Sequence, residues 1–308
     1  MPVVCLVGPT AVGKTALALE LARQYQAEII SVDSMQVYRG MDIGTAKVTP
    51  AERRLVPHHL IDIVDPDQDY SVARFIDDTA TVMADLRQRD KNALLVGGTG
   101  LYFKGLLEGL FALATDDGDI REELAARLAA EGREALHREL QVIDPESAQR
   151  IHPHDSHRLL RALEIHALTG IPWSQHIREQ QQRPLLQEPL VIGLACERPL
   201  LYQRINRRVE EMLAQGLLEE VRGLLAAGYG PELPTMQAIG YRHLVNFIHG
   251  QWNWEETMEF LARDTRRYAK RQFTWFGRLP GIHWLEPTAG ETIRRLIAAY
   301  FLNYRQTR

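Results

Sequence analysis

The chain has 308 residues, of which 45% are hydrophobic and 25% charged, with a formal net charge of -4. That composition belongs to an ordinary globular protein, long enough for about two domains and for a core that needs no disulfide or structural metal. It excludes a disordered chain and a disulfide scaffold, since there are only two cysteines. It also excludes a helical membrane protein, since no apolar run approaches the ~20 residues that cross a bilayer. The acidic balance argues mildly against nucleic-acid binding, although a local basic face can outweigh an average.

The N-terminus enters an apolar run, Val3 to Val7, without the basic region or cleavage site of a secretory leader. The expectation is a cytoplasmic protein with no membrane association. Cys5 and Cys196 fit it as buried, reduced core residues. Val3 to Val7 reads as a buried strand. It feeds Gly8-Pro9-Thr10-Ala11-Val12-Gly13-Lys14-Thr15, which satisfies the phosphate-loop pattern G-x-x-x-x-G-K-[ST] at every required position. A helical pattern with Leu17 and Leu21 on one face follows. Glycines let the backbone amides turn inward around a polyphosphate at a helix N-terminus. Lys14 adds a positive charge, and the Thr15 hydroxyl is placed for Mg²⁺.

Three further strands are expected, at Glu28 to Val32, Leu60 to Val64 and Ala93 to Val96, alternating with helices. This alternation predicts an α/β fold with a parallel sheet covered on both faces, with ligands bound beyond the carboxyl ends of the strands. Asp33 ends the second strand and Thr99 follows the fourth, so both are expected at the edge that carries the phosphate loop. Asp33 can act as a general base, support Mg²⁺ or cap a turn. The Gly97-Gly98-Thr99-Gly100 turn lacks the acidic strand end that supports Mg²⁺ in many nucleotide hydrolases. Thr99 can donate a hydrogen bond to a leaving oxygen instead.

The pattern changes near Thr115. Ile120 to Ala130, Glu134 to Leu140 and His157 to Leu168 read as helices, the last with Asp155 or Ser156 as its cap and Gly170 past its end. A helical insertion over residues 115–185 is expected, inside a core of residues 1–114 and 186–308. His152, His154 and His157 have no neighbouring ligands that complete a zinc site, and a polar loop is the plainer reading. Strand character returns at Leu190 to Ala195. A long helix is expected from Leu200 to about Ala227, and the remainder is expected to be helical. On the long helix Arg204 and Arg208 share a face. They can grip phosphate oxygens or form a solvated, ion-paired surface. Arg263 to Arg278 interleaves Arg263, Arg266, Arg267, Lys270, Arg271 and Arg278 with Tyr268, Phe273, Trp275 and Phe276. It reads either as an RNA face or as an amphipathic helix with aromatics inside, and the two are compatible.

Taken in order, GPTAVGKT, DSMQVYRGMDIGTAK, PHHLIDIVDP, GGTGLY, RINRRVEEM, QAIGYR and TRRYAKRQFTWF resemble the tRNA dimethylallyltransferases (tRNA isopentenyltransferases) of bacterial type, over nearly the whole chain. Relatives that prenylate free nucleotides are the nearer alternative within the superfamily. The resemblance implies a P-loop NTPase-like core and transfer of a dimethylallyl group from dimethylallyl diphosphate to N6 of the adenosine just 3′ of the anticodon. It implies Mg²⁺ as cofactor and the tRNA anticodon stem-loop as partner. By resemblance Gly8 to Thr15, with Arg204 and Arg208, hold the diphosphate, and Thr15 meets the metal. Asp33, Thr99, Lys14 and Arg208 carry the chemistry. Asp33, Ser34, Met35, Gln36, Thr99 and Arg121 fall where the family contacts tRNA. So do His157, Arg158, Leu159, Leu160 and Arg161, and Gln237, Ala238, Ile239, Gly240, Tyr241 and Arg242. Lys270 and Arg271 join them as cations for the RNA backbone. The core shows no self-association stripe, so a monomer is expected.

Overall fold

The computed structural model describes residues 1–109, 118–180 and 184–306. The chain forms two compact units, Met1–Phe103 with Leu186–Arg308, and Lys104–Leu185. The expected boundary at 114/115 lies outside the described residues, and the first unit ends instead within a helix, at Phe103.

The first unit is built on one six-stranded sheet, β1 (Val3–Val7), β2 (Ala27–Val32), β3 (His58–His59), β4 (Asn92–Gly97), β5 (Leu190–Leu194) and β6 (His283–Leu285). The strand order is β3-β2-β4-β1-β5-β6, and every pairing is parallel. β1, β2 and β5 are buried along their whole length. Continuous apolar runs of this kind are what a parallel sheet covered on both faces requires. Two expectations are corrected here. The third strand is His58–His59 rather than Leu60 to Val64, because Leu60 and Asp62 turn into the left-handed region (φ 59° and 57°) and take the apolar run off the sheet. β6 completes the far edge in a region expected to be wholly helical. Its three residues, two of them exposed, are too few to produce a periodic signal.

Helices α1 (Lys14–Gln24), α2 (Pro50–Leu55), α3 (Val72–Gln88) and α4 (Gly100–Glu108) alternate with the first strands. The helical unit contains α5 (Gly118–Glu131), α6 (Arg133–Ile143), α7 (Pro145–Arg150), α8 (Ser156–Thr169) and α9 (Trp173–Gln180). The described chain closes with α10 (Arg198–Ala214), α11 (Leu217–Ala226), α12 (Tyr241–Ile248), α13 (Trp254–Phe276) and α14 (Gly290–Gln306). The single helix expected from Leu200 to Ala227 is therefore two. Gly216, at φ 101°, ends one and starts the other, a conformation open to glycine at little cost. In the helical unit, Leu124, Leu136, Leu140, Leu159 and Leu163 form a separate core. The caps of α8 are as expected: Asp155 accepts from the Arg158 amide and Gly170 closes the helix in the left-handed region. Cys5 is buried, which pushes its thiol up to about 12. Cys196, expected to be buried, is half-exposed at the rim of the core.

Candidate active site

The registry of the sheet assembles the site. Gly97 lies opposite Val7 on one side and Val32 on the other, so β1, β2 and β4 finish level. The phosphate loop, Asp33 and Thr99 begin where these strands end, which is where a parallel sheet binds ligands. A cavity of about 1170 Å³ opens there, lined by the phosphate loop, Asp33 to Gln36, residues 42–50, Arg204, Arg208 and Gln237 to Tyr241.

The phosphate loop is held from several sides. Gly8 sits at φ 147°, and a Cβ there would lie 2.6 Å from the Leu194 carbonyl oxygen, so β5 permits only glycine. Ala11 and Gly13 take positive φ values of 63° and 108°. Lys14 donates to the carbonyls of Gly8 at 2.9 Å and Pro9 at 2.8 Å. Arg204 reaches over from α10 and donates to the Val12 carbonyl at 3.3 Å. Thr15 is exposed in the first turn of α1. Burial, and then the charge of Arg208, pull Lys14 down to about 7, with Asp33 opposing. Burial likewise lowers Arg208, again opposed by Asp33. Among the described residues Arg208 makes no ion pair or hydrogen bond. Two cations and one carboxylate thus converge on one space, Lys14 and Asp33 met there only by main-chain groups and Arg208 by none.

Asp33 accepts from the amides of Met35 at 2.8 Å and Gln36 at 3.2 Å, both through Oδ1. The turn-capping reading is therefore true of one oxygen, and it orients the carboxylate without neutralising it. The Thr99 hydroxyl oxygen accepts from the Ser34 amide at 3.1 Å, tying the two strand-end loops together. Gln36 is an internal brace: its amide meets Ser31 at 2.9 Å and the carbonyls of Thr45 and Ala46, both at 3.3 Å. Residues 42–44 are fastened from outside the cavity. Their three amides donate to the Glu220 carboxylate on α11, at 2.7–3.1 Å, and the Tyr241 hydroxyl donates to the same group at 2.7 Å.

Several residues expected at an RNA contact are spent within the protein. Tyr241 is fully buried and bonded to Glu220, so its side chain shapes the wall rather than meeting solvent. Leu159 is fully buried in the helical unit. There Arg121 and Arg161 both pair with the buried Glu164, at 2.7 and 2.8 Å, and Arg158 pairs with Asp155. His157 and Arg158 are exposed, and Leu160 is half-buried. Gln237 donates to the Pro231 carbonyl at 2.6 Å, and Ala238, Ile239 and Gly240 complete that stretch of wall. Arg242 pairs with Asp264 at 2.5 Å. His152 and His154 stack on each other and His154 faces Arg133. No group of three metal-ligating side chains exists among the described residues.

Helix α13 is amphipathic, with aromatics turned towards the core and cations towards solvent. Phe276 is fully buried, Phe273 packs against the main core and Trp275 lies under Gly100. Lys270 and Arg271 are exposed, Arg271 stacks on Tyr268 at 5.7 Å, and a second groove is lined by Arg267, Lys270, Arg271, Thr274, Trp275 and Arg278. The sequence did not single out Gln272, Glu220 or Gly44. Their importance lies in contacts with residues far along the chain, and no local pattern marks them.

Known proteins carry the same architecture. The family description "IPP transferase" matches residues 36–279, and "Isopentenyl transferase" matches residues 1–59. A tRNA dimethylallyltransferase of Desulfotalea psychrophila is 52% identical over 285 residues, 92% of this chain and 91% of that protein. A crystal structure of the tRNA isopentenylpyrophosphate transferase of Bacillus halodurans is 40% identical and covers 99% of this chain and 98% of that one, with a TM-score of 0.73. A eukaryotic dimethylallyltransferase, described as acting on tRNA, aligns with a TM-score of 0.79 at 29% identity, over 92% of this chain and 73% of that one. With the sheet, the phosphate loop and the strand-end residues in family order, the chain belongs to the IPP transferase family, the tRNA dimethylallyltransferases.

Proposed function

We propose that the protein transfers the dimethylallyl group of dimethylallyl diphosphate to N6 of the adenosine 3′-adjacent to the anticodon, releasing diphosphate. The observation that carries this reading is the convergence of Lys14, Arg208 and Asp33 on one cavity at the sheet edge. It supplies cations for a leaving group and a base for an incoming amine in the same space.

The exocyclic adenine amine is a weak nucleophile, because its lone pair is delocalised into the ring. Asp33 takes its proton as the bond from N6 to the prenyl C1 forms. The C1–O bond breaks, and its electron pair leaves with the diphosphate. Lys14, Arg204 and Arg208 absorb that charge, and the amides of the phosphate loop orient it. Thr99 donates to the oxygen that is released. The adenosine must be extruded from its stack to reach the strand ends, and the exposed cations of α13 hold the RNA backbone.

Mg²⁺ fits this donor set. It prefers one or two protein oxygens plus substrate phosphates, and Thr15 offers a hydroxyl beside the phosphate loop while Asp33 stands across the cavity. When bound it neutralises charge on the diphosphate. Among the described residues no helix is long and apolar enough to cross a membrane, and we infer a monomer acting in the cytoplasm. The test is incubation with Mg²⁺, unmodified tRNA and dimethylallyl diphosphate, followed by digestion and mass analysis of nucleosides. One dimethylallyl group gained on adenosine is expected. Turnover of ATP with no gain on adenosine would overturn the reading in favour of a kinase or NTPase.

A further inference from the structure

Gln272 lies on the inner face of α13, 5% exposed, and makes two hydrogen bonds to backbone far away in sequence. Its Oε1 accepts from the Thr10 amide at 2.8 Å, and its Nε2 donates to the Gly98 carbonyl at 3.0 Å. The two partners fix the orientation of the side-chain amide, since an N–H needs the oxygen and a carbonyl needs the nitrogen. A glutamine does both; a carboxylate or an aliphatic side chain of the same length cannot. The contact also depends on glycine at 98, because a Cβ there would lie 2.2 Å from Nε2.

Thr10 precedes Ala11, a loop residue in the left-handed region. Holding the Thr10 amide therefore anchors the phosphate loop at the Pro9–Thr10 peptide, just ahead of that left-handed residue. Gly98 in turn precedes Thr99, whose oxygen accepts from Ser34. One side chain thus connects the diphosphate grip, the Thr99 turn and, through the helix it stands on, the RNA-facing cations Lys270 and Arg271.

We propose that Gln272 is a positioning residue that holds the phosphate loop in its diphosphate-binding shape. The inference rests on the reading of the cavity as a diphosphate site. It requires no contact between Gln272 and substrate: the side chain acts through the Thr10 amide. The prearranged loop loses less order on binding, which is where affinity comes from when contacts are unchanged.

The test is titration of the purified protein with inorganic diphosphate in Mg²⁺, alongside steady-state kinetics and binding of an anticodon stem-loop RNA. For Gln272→Met we expect diphosphate affinity to fall about ten-fold, as for loss of a buried pair of hydrogen bonds. The KM for dimethylallyl diphosphate should rise in proportion, with kcat at saturation and RNA affinity within about three-fold of wild type, as when binding is lost equally from ground and transition states. Gly98→Ala breaks the same contact from the other side, and it serves should the methionine variant fold poorly. The double variant should be no weaker than the weaker single, the signature of one shared interaction. Three results would overturn the proposal: diphosphate affinity of Gln272→Met unchanged, RNA affinity falling in the same proportion, or losses that multiply in the double variant. If the wild-type protein transfers no prenyl group, the proposed function fails by itself, while the diphosphate titration still reads Gln272.

Discussion

Strand β2 has a carboxylate at each end, and the two are treated in opposite ways. At the amino end Glu28 is buried and saturated. Arg89 donates to both its oxygens, at 2.5 and 2.9 Å, and His59 meets one of them at 2.7 Å. The hydrogen bonds from Arg89, aided by His59, hold its carboxyl down at about 2. At the carboxyl end Asp33 meets two backbone amides through one oxygen and faces Lys14 and Arg208 across an open cavity. The first arrangement makes a charge structural by answering it completely. The second keeps a charge reactive by answering it in part. A buried, fully paired charge has nothing left to offer a substrate, whereas partly answered charges of opposite sign, held apart in one cavity, can be completed by one.

Four expected outcomes test that contrast, from the largest effect to the smallest. Asp33→Asn keeps the turn but removes the base, and should cost roughly 10²–10⁴-fold in kcat. RNA affinity should stay near wild type, and single-turnover kinetics with a parallel RNA titration check both. An equal loss of RNA binding would mean that Asp33 grips RNA more than it moves a proton. Arg208→Ala removes a cation with no internal partner. It should cost about 10²-fold in kcat/KM for the diphosphate donor while leaving the melting temperature nearly unchanged; a large drop in melting temperature would show a structural cation instead.

These two outcomes concern residues that the sequence marks openly. Gly8 to Thr15 is legible because a phosphate loop needs its residue types at fixed spacing between a strand and a helix. Asp33 and Thr99 are legible because a strand end in a parallel sheet is a known place for ligands. What escaped reading depends on geometry that local patterns do not carry. Leu60 to Val64 is as apolar as a strand, yet the left-handed turns at Leu60 and Asp62 move the pairing to His58–His59. The apolar periodicity of α10 runs on into α11, so only the backbone at Gly216 shows the break. Tyr241 and Leu159 sit in segments with functional resemblance but turn inward, and a sequence motif does not state which way each side chain faces.

At the saturated end, Glu28→Gln should lower stability by about 1–2 kcal/mol, the scale for hydrogen bonds to a charged group that solvent partly screens. Activity should be unaffected. Because the folded protein lowers this carboxyl, its contribution is complete above the ordinary value of 4.5 and disappears as pH falls towards about 2. Melting curves of wild type and variant, separated near neutrality, should therefore converge in acid; a gap that persists there would show packing rather than charge at work. The smallest effect is expected at the exposed rim. Lys270→Ala should weaken RNA binding only a few-fold and lower the dependence of log affinity on log salt by about 0.7–0.9. The difference from wild type should thus be widest at low salt, and a parallel shift at all salt concentrations would show that Lys270 does not neutralise a phosphate.

The wall formed by residues 42–44 is gripped by main-chain amides on Glu220, with the Tyr241 ring lying 2.6 Å from where a Gly44 Cβ would stand. A side chain at position 44 would therefore have to displace the buried Tyr241 ring. Ile43 is anchored through its amide on Glu220, and its half-buried side chain lines the cavity. A different side chain at that position therefore alters the contour of the cavity while leaving in place the main-chain bonds that present it.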